Sequence, residues 1–432
     1  MKKSFFYIVT ILLITTSNHI KPTLVNDRIE FLDVLRGIAI QCIFIANIVT
    51  FSGIFAFAPS FRNPTMVWAS DEVTDFITFA LVDGKFYSIF SLLFGIGCVM
   101  QYQKLKKTNK AFALFFTRRM FWLLVFGLAH LVGLWLGDIL TLYALLGFLL
   151  VFFINVSDKK LLWLSGILIF MPLLNGLIIH FLKLDYPNFF FQKSLELWTY
   201  FGYPVSEFNG KPFIDMQFYL ANENWSDFFK MNISNALVRV GFLLEDGRVF
   251  KVLGVFLLGL WTGRNILNNG LLSNIKFLKK VAILGLSIGL PLSVVRTYFM
   301  FFGDGSDLIG FINTLLYALS TVPLALGYGA LLAMWYHKNP AVLNWIAPAG
   351  KMAFTNYIMQ TMISIVIFYQ LGFGFAGQFG FTVIFLLATA IFLLQVLYST
   401  LWLKYFRFGP LEWIWRQLTY NKIISIKKET KS

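Results

Sequence analysis

The sequence predicts an all-α, polytopic transmembrane helical bundle of about ten spans, with an outer interfacial insertion and a cytoplasmic amphipathic tail. Three observations lead there. Of 432 residues, 58% are hydrophobic and only 13% charged, and the mean hydropathy is +0.72, which leaves too little polar surface to cover a water-soluble globule. Apolar runs of about 20 residues, the length a helix needs to cross ~30 Å of hydrocarbon, recur along the chain. Alternating ten-residue strands of the barrel type are absent, so the spans read as helices.

The spans fall near 37–57, 86–102, 119–136, 139–155, 161–181, 249–264, 281–301, 309–335, 353–374 and 379–402. They divide the chain into an N-terminal hydrophobic extension (1–27), a first membrane bundle of five spans (28–181), an aromatic-rich insertion (182–248), a second bundle of five spans (249–402) and a basic, aromatic tail (403–432). Residues 1–20 begin with lysines and carry a short apolar stretch without a small-x-small cleavage site, so a signal, a span and an interfacial segment all stay open. The insertion, with YPNFFF, LELWTYFGYP and NENWSDFF beside acids, suits helices at the outer interface. The tail suits an amphipathic helix on the inner face.

Charge gives the expected orientation. The segments 1–36, 104–119, 156–160, 264–280, 336–351 and 403–432 hold 26 of the 36 Lys and Arg residues, and most acids fall in the intervening loops. Basic segments stay in the cytoplasm, which places the protein in the inner (plasma) membrane with both termini cytoplasmic. The net charge of +15 is thereby explained by topology and contacts with membrane lipids, and calls for no nucleic acid. Cys42 and Cys98 lie inside apolar runs with no CxxC spacing, and no His, Cys or carboxylate cluster is spaced for a metal. P-loop and HExxH motifs are likewise missing.

The stretches RIEFLDVLRGIAI (28–40), DGKFYSIFSLLFGIG (83–97), RRMFWLLVFGLAHLVGLWLGDILTLYALLG (118–147), GKMAFTNYIMQ (350–360) and FRFGPLEWIWRQLTY (406–420) resemble the YeiB-like family of polytopic bacterial membrane proteins, which carry the domain of unknown function 418. The opening LDVLRGIAI is also similar to that of transmembrane acyltransferases, in which an Arg at the start of span one is followed eleven positions later by His. Here that spacing joins Arg36 to Asn47, an amide that cannot serve as a general base. The heparan-glucosaminide acetyltransferase branch also has Asn at this spacing, with its working His just outside span one in H-x-x-W-N-G. This chain has TMVWASDEV (65–73) there, without His. The resemblance therefore implies an acyl-transfer function whose base comes from elsewhere.

Ionisable groups inside a membrane are costly unless paired, which makes each a candidate for function. Asp33 and Arg36, at i and i+3, suit a local ion pair at the inner end of span one, and Arg36 also suits the phosphate of a donor. Asn47 lies ~16 Å deeper along the helix, with Asn356, Gln360 or Gln395 as expected hydrogen-bond partners. His130, ~9 Å inside the outer end of span three, suits either an interhelical hydrogen bond or proton chemistry. Asp138, in the turn GDILTLY, suits an N-cap of span four and equally an orienter of His130. Asp83 and Lys85 flank the outer mouth of span two, and Arg296 lies at a depth comparable to that of His130.

Two functions follow, beside a third reading as a non-catalytic scaffold. The first is a transmembrane acyltransferase that binds no permanent cofactor and takes an acyl-coenzyme A as donor through Arg36 and Asn47. It would pass the acyl group to an outer-side sugar or lipid, with His130 and Asp138 as catalytic pair. The alternative is a proton-coupled carrier or permease binding a small charged solute through Asp83, Lys85 and Arg296. A homo-oligomer is open under both readings. The acyltransferase requires a continuous cavity between Arg36 and the His130 region.

Overall fold

The structure, a computed structural model, describes residues 29–106, 112–208 and 211–428. The N-terminal extension and the middle of the basic connection 104–119 lie outside these residues. Each of the ten expected spans coincides with a helix. They are α1 (Glu30–Phe51), α3 (Lys85–Lys106), α4 (Phe112–Gly133), α5 (Leu140–Phe153), α6 (Asp158–His180), α10 (Arg248–Asn269), α11 (Ile275–Phe302), α12 (Asp307–Lys338), α15 (Ala353–Phe368) and α16 (Phe381–Tyr405). Eight helical segments among the described residues are long and apolar enough to cross a membrane, the second of them running from Asp71 through α3 because α2 (Asp71–Leu81) leads directly into it. The protein is thus a polytopic helical membrane protein.

Helices α5 and α15 are shorter than a full span, with 14 and 16 residues. Both are core elements, with Ala144 and Leu150 of α5 and Asn356 and Phe368 of α15 fully buried. Two expected spans end early. Span one stops at Phe51 rather than 57, since Gly53 adopts φ +65° and turns the chain. Span nine stops at Phe368 rather than 374, and the following residues fold back on it through Phe373 N–H to the Val366 carbonyl at 2.7 Å.

The insertion contains α7 (Asn188–Tyr200), an antiparallel hairpin of β1 (Val205–Phe208) and β2 (Lys211–Ile214), α8 (Met216–Leu220) and α9 (Trp225–Glu245). Helix α9 is an integral part of the core. Its Phe228, Met231, Asn232, Ser234 and Asn235 are buried, and Phe228 and Met231 share one apolar cluster with Phe44 and Ile48 of α1, Trp135 and Phe368. Asn224 caps α9 by accepting from Ser226 N–H at 2.8 Å. At its other end Gly247, with φ +57°, reverses the chain into α10. Asn175 of α6 pins that reversal by donating to the Leu244 and Glu245 carbonyls at 2.9 and 2.8 Å.

Two short helices, α13 (Pro340–Asn344) and α14 (Ala347–Lys351), precede α15, and α14 packs on the start of α1. The tail forms α17 (Pro410–Tyr420).

Small residues set the closest helix crossings, as expected where lipid gives helices no hydrophobic reason to associate. Helices α3 and α10 cross at Gly95 and Gly259, where a methyl group added to Gly259 would lie 2.9 Å from the Gly95 Cα and run into the Leu92 carbonyl. Gly285 of α11 and Gly327 of α12 make the same kind of approach. We expect Gly259→Leu to destabilise the protein by about 1–3 kcal/mol or more through overpacking. Gly166→Leu, where the added group meets open space, should leave thermal unfolding in detergent unchanged.

Candidate functional site

The site begins with a carboxylate at a helix start. Asp138 precedes α5 and accepts from Leu140 N–H at 3.1 Å through Oδ1 and from Thr141 N–H at 2.7 Å through Oδ2. The same Oδ1 lies 2.9 Å from His130 Nδ1 on α4. The two readings of Asp138 made from sequence, helix cap and orienter of His130, therefore hold together. A carboxylate fixed by two backbone donors is an acceptor, so His130 Nδ1 is the donor of this pair. His130 Nε2 lies 3.0 Å from the Thr361 hydroxyl of α15. Asp138, His130 and Thr361 form an acid–imidazole–hydroxyl chain across three helices, with exposures of 1%, 2% and 2%.

A cavity of about 730 Å³ runs beside this chain. Its wall includes Gly137 and Ile139, the neighbours of Asp138, and Tyr357, whose ring centroid is 5.2 Å from that of His130. His130 and Asp138 themselves lie one layer behind the wall. From there the cavity follows a stripe of α1 (Asn47, Ile43, Ile40, Arg36) and, facing it, Asp83 and a stripe of α3 (Phe86, Phe90, Phe94, Gln101) to the opposite end of the bundle. Arg36 and the His130 region are thus joined by one continuous space.

The Arg36 end is cationic. Arg36 donates to Asp33 at 2.6 Å, the expected i,i+3 pair, and still lines the cavity. Arg119 of α4 stacks on the ring of Trp415 with its guanidinium 3.6 Å from the centroid, and the Trp415 indole N–H donates back to the Arg119 carbonyl at 3.0 Å. Arg416, Lys104 and Lys351 complete this mouth. Helix α17 closes it by binding the start of α15: the Glu412 carboxylate accepts from Phe354 N–H at 2.7 Å, Thr355 N–H at 3.1 Å and the Thr355 hydroxyl at 2.6 Å. Burial pushes the Glu412 carboxyl up, and the Thr355 bonds draw it back down.

The other sequence candidates divide. Asn47 faces the cavity, and its expected partners bond one another instead. Gln360 donates to Gln395 at 2.9 Å, Gln395 to the Asn356 carbonyl at 3.0 Å, and Asn356 to Ser399 at 3.0 Å. Among the described residues Asn47 thus bonds to none of these expected partners, because α15 and α16 satisfy their own polar groups. Asp83 lines the cavity and accepts from Arg296 at 2.8 Å. Lys85 is fully buried and donates to the Phe79 carbonyl at 3.2 Å. Neither Lys85 nor Arg296 lines the cavity.

Sequence reasoning missed Arg119, Arg416, Thr361, Arg239 and Arg248. Arg239 of α9 and Arg248 at the start of α10 line the His130 end, and Arg239 Nε donates to the Asp138 carbonyl at 2.9 Å. Burial, then the neighbouring Arg248, lowers Arg239 to about 10, which leaves it a cation at neutral pH. Its signal was present: Arg239 and Arg248 stand on the acidic side of the charge pattern, where basic residues are scarce.

A family model described as "Protein of unknown function (DUF418)" matches residues 263–422. The uncharacterized protein YxaH of Bacillus subtilis (strain 168) is 30% identical, over 95% of this chain and 99% of its own length. The chain belongs to the DUF418 family. The uncharacterized protein YeiB of Escherichia coli (strain K12) is 28% identical over 91% of this chain and 96% of its own. An uncharacterized 39.9 kDa protein in the amylase 3′ region of Bacillus acidopullulyticus is 27% identical over 94% and 99%. No solved structure matches. The DUF418 match takes in Thr361, Glu412 and Arg416, whereas His130, Asp138 and Arg239 lie in the part that the full-length relatives cover.

Because Glu412 holds two backbone donors that open α15, Glu412→Ala should lower stability by about 1–3 kcal/mol, the loss expected when buried donors are orphaned. Glu412→Gln, which keeps a carbonyl acceptor, should fall between the two. Thermal melting of the purified protein followed by light scattering checks the order.

Proposed function

We propose that the protein is a transmembrane acyltransferase that moves an acyl group from a cytoplasmic donor to an acceptor on the outer side of the plasma membrane. One observation carries this reading: a single cavity links the cationic mouth at Arg36, Arg119 and Arg416 to the wall directly over the His130–Asp138–Thr361 chain. Arg36 and its neighbours suit the phosphates of an acyl-coenzyme A, since guanidinium groups bind phosphate with geometric fit. The apolar stripe between the ends suits the acyl arm, and Asn47 presents an amide to it part-way along.

His130 supplies the base. Its Nε2 takes the proton of an acceptor hydroxyl, by way of the Thr361 hydroxyl, as the acceptor oxygen attacks the thioester carbonyl. A C–O bond forms, the C–S bond breaks, and the proton on His130 passes to the departing thiolate. Asp138 accepts from Nδ1–H and holds the imidazole in place, the role of the third member in such chains. The alternative carrier function, with Lys85 and Arg296 as solute ligands, has less support, because Lys85 donates to a backbone carbonyl and Arg296 to Asp83.

His130→Ala should reduce acyl transfer by roughly 10²–10⁴, the usual loss of a general base, in a protein that still folds. Asp138→Asn should act in the same direction. The measurement is acyl product formed by membranes given a radiolabelled acyl donor. Unchanged transfer in His130→Ala, or pH-dependent solute uptake without acyl product, would reject the enzyme.

The proposed sidedness has its own test. With Cys42 and Cys98 replaced by Ala, a cysteine at Val205 should react with an impermeant maleimide in intact cells, and one at Lys428 only after permeabilisation. The reverse pattern would invert the model of donor entry.

A further inference from the structure

Two guanidinium groups, those of Arg239 and Arg248, line the His130 end of the cavity. Asp83 is taken by Arg296 at 2.8 Å, Asp246 by Arg248, and Asp138 by His130 and two backbone amides. Among the described residues Arg239 makes no carboxylate ion pair, and its Nε bond goes to a carbonyl. Lys251 is fully buried, donates to the Thr321 hydroxyl at 2.6 Å and sits 3.4 Å from the centroid of the Tyr317 ring. Arg248 leaves a buried Nε without a hydrogen-bond partner. Guanidinium groups keep their charge, and two of them facing one low-dielectric space repel unless an anion lies between them. The wall that continues from Arg239 and Arg248 toward the middle of the bundle is apolar, through Tyr87, Phe86, Phe90, Ile43 and Ile40.

We propose that Arg239 and Arg248 bind the phosphate of an anionic amphiphile whose apolar chain enters the cavity along α1 and α3. The phosphate bridges the two guanidinium groups with charge-assisted hydrogen bonds, and the rings of Tyr87 and Phe86 line the first part of the chain. The insertion 182–248 is thereby a part of the binding site, since α9 delivers Arg239 and the turn at Gly247, pinned by Asn175, delivers Arg248. For its role as acceptor the amphiphile rests on the acyltransferase reading; its binding does not.

The test uses the full chain in neutral phosphatidylcholine nanodiscs, without donor, and radiolabelled dodecyl phosphate as probe. Saturable binding is expected, weakened roughly tenfold or more by Arg239→Gln and by Arg248→Gln, as for loss of a charged hydrogen bond. Arg264→Gln, whose guanidinium pairs with Asp158 and does not line the cavity, should leave it unchanged. Arg239→Lys keeps the charge and should lose less than Arg239→Gln. If Arg239→Gln does not fold, Arg248→Gln carries the test alone. Absent binding overturns the proposal, as does binding lost in Arg36→Gln but kept in the Arg239 and Arg248 variants. Inorganic phosphate competing at the same concentration as dodecyl phosphate would assign the anion to a soluble molecule and overturn the amphiphile. Intact binding in a protein that forms no acyl product would count against the acyltransferase reading alone.

Discussion

The carboxylate of Asp138 is the interaction on which the site depends. In hydrocarbon a polar group without a partner costs several kcal/mol, so the first turn of α5 needs an acceptor and the ring of His130 needs one too. Asp138 serves both with its side chain, and its carbonyl takes Arg239 from the insertion. Through His130 it reaches Thr361 on α15. Three stretches of chain far apart in sequence are thereby joined, around 130–141, at Arg239 and at Thr361. The same demand that stabilises the bundle also fixes the orientation of the imidazole.

The cavity reflects a second constraint. Its two ends are cationic and its walls between them apolar. At the Arg36 end, stacking on Trp415 and the pair with Asp33 make the charges tolerable. At the His130 end, tyrosine faces and ion pairs do so only in part, because Arg239 finds no carboxylate partner among the described residues. Burial of charge in a low dielectric is unfavourable unless it is matched, and such imbalance beside an open space favours a charged ligand over a purely structural role.

Helix packing makes this space possible. Where α3 and α10 meet at Gly95 and Gly259, the backbones approach closely on one side of α3. The aromatic side chains Phe86, Phe90 and Phe94 stand on the cavity side of the same helix. A helix with glycine on one face and large rings on another closes tightly in one direction and leaves a lined opening in the other. Helix α17 completes the enclosure by anchoring Glu412 on the start of α15.

Composition and hydropathy alone determined that this chain is a multi-pass helical membrane protein and where its ten helices run, because the length of an apolar run is set by the thickness of hydrocarbon and needs no knowledge of neighbours. The pair Asp33–Arg36 was legible for a similar reason, since three residues apart on a helix is a local distance. So was His130 with Asp138, joined by a short turn. What only the tertiary structure decided are the contacts between distant segments: Thr361 on the imidazole, Arg239 on Asp138, Arg119 on Trp415 and Glu412 on α15. Asn47 shows the limit from the other side, for an amide at mid-helix demands a partner but does not say which, and α15 and α16 satisfied one another first. Helical periodicity places a residue on a face; which helix that face meets depends on how all of them pack.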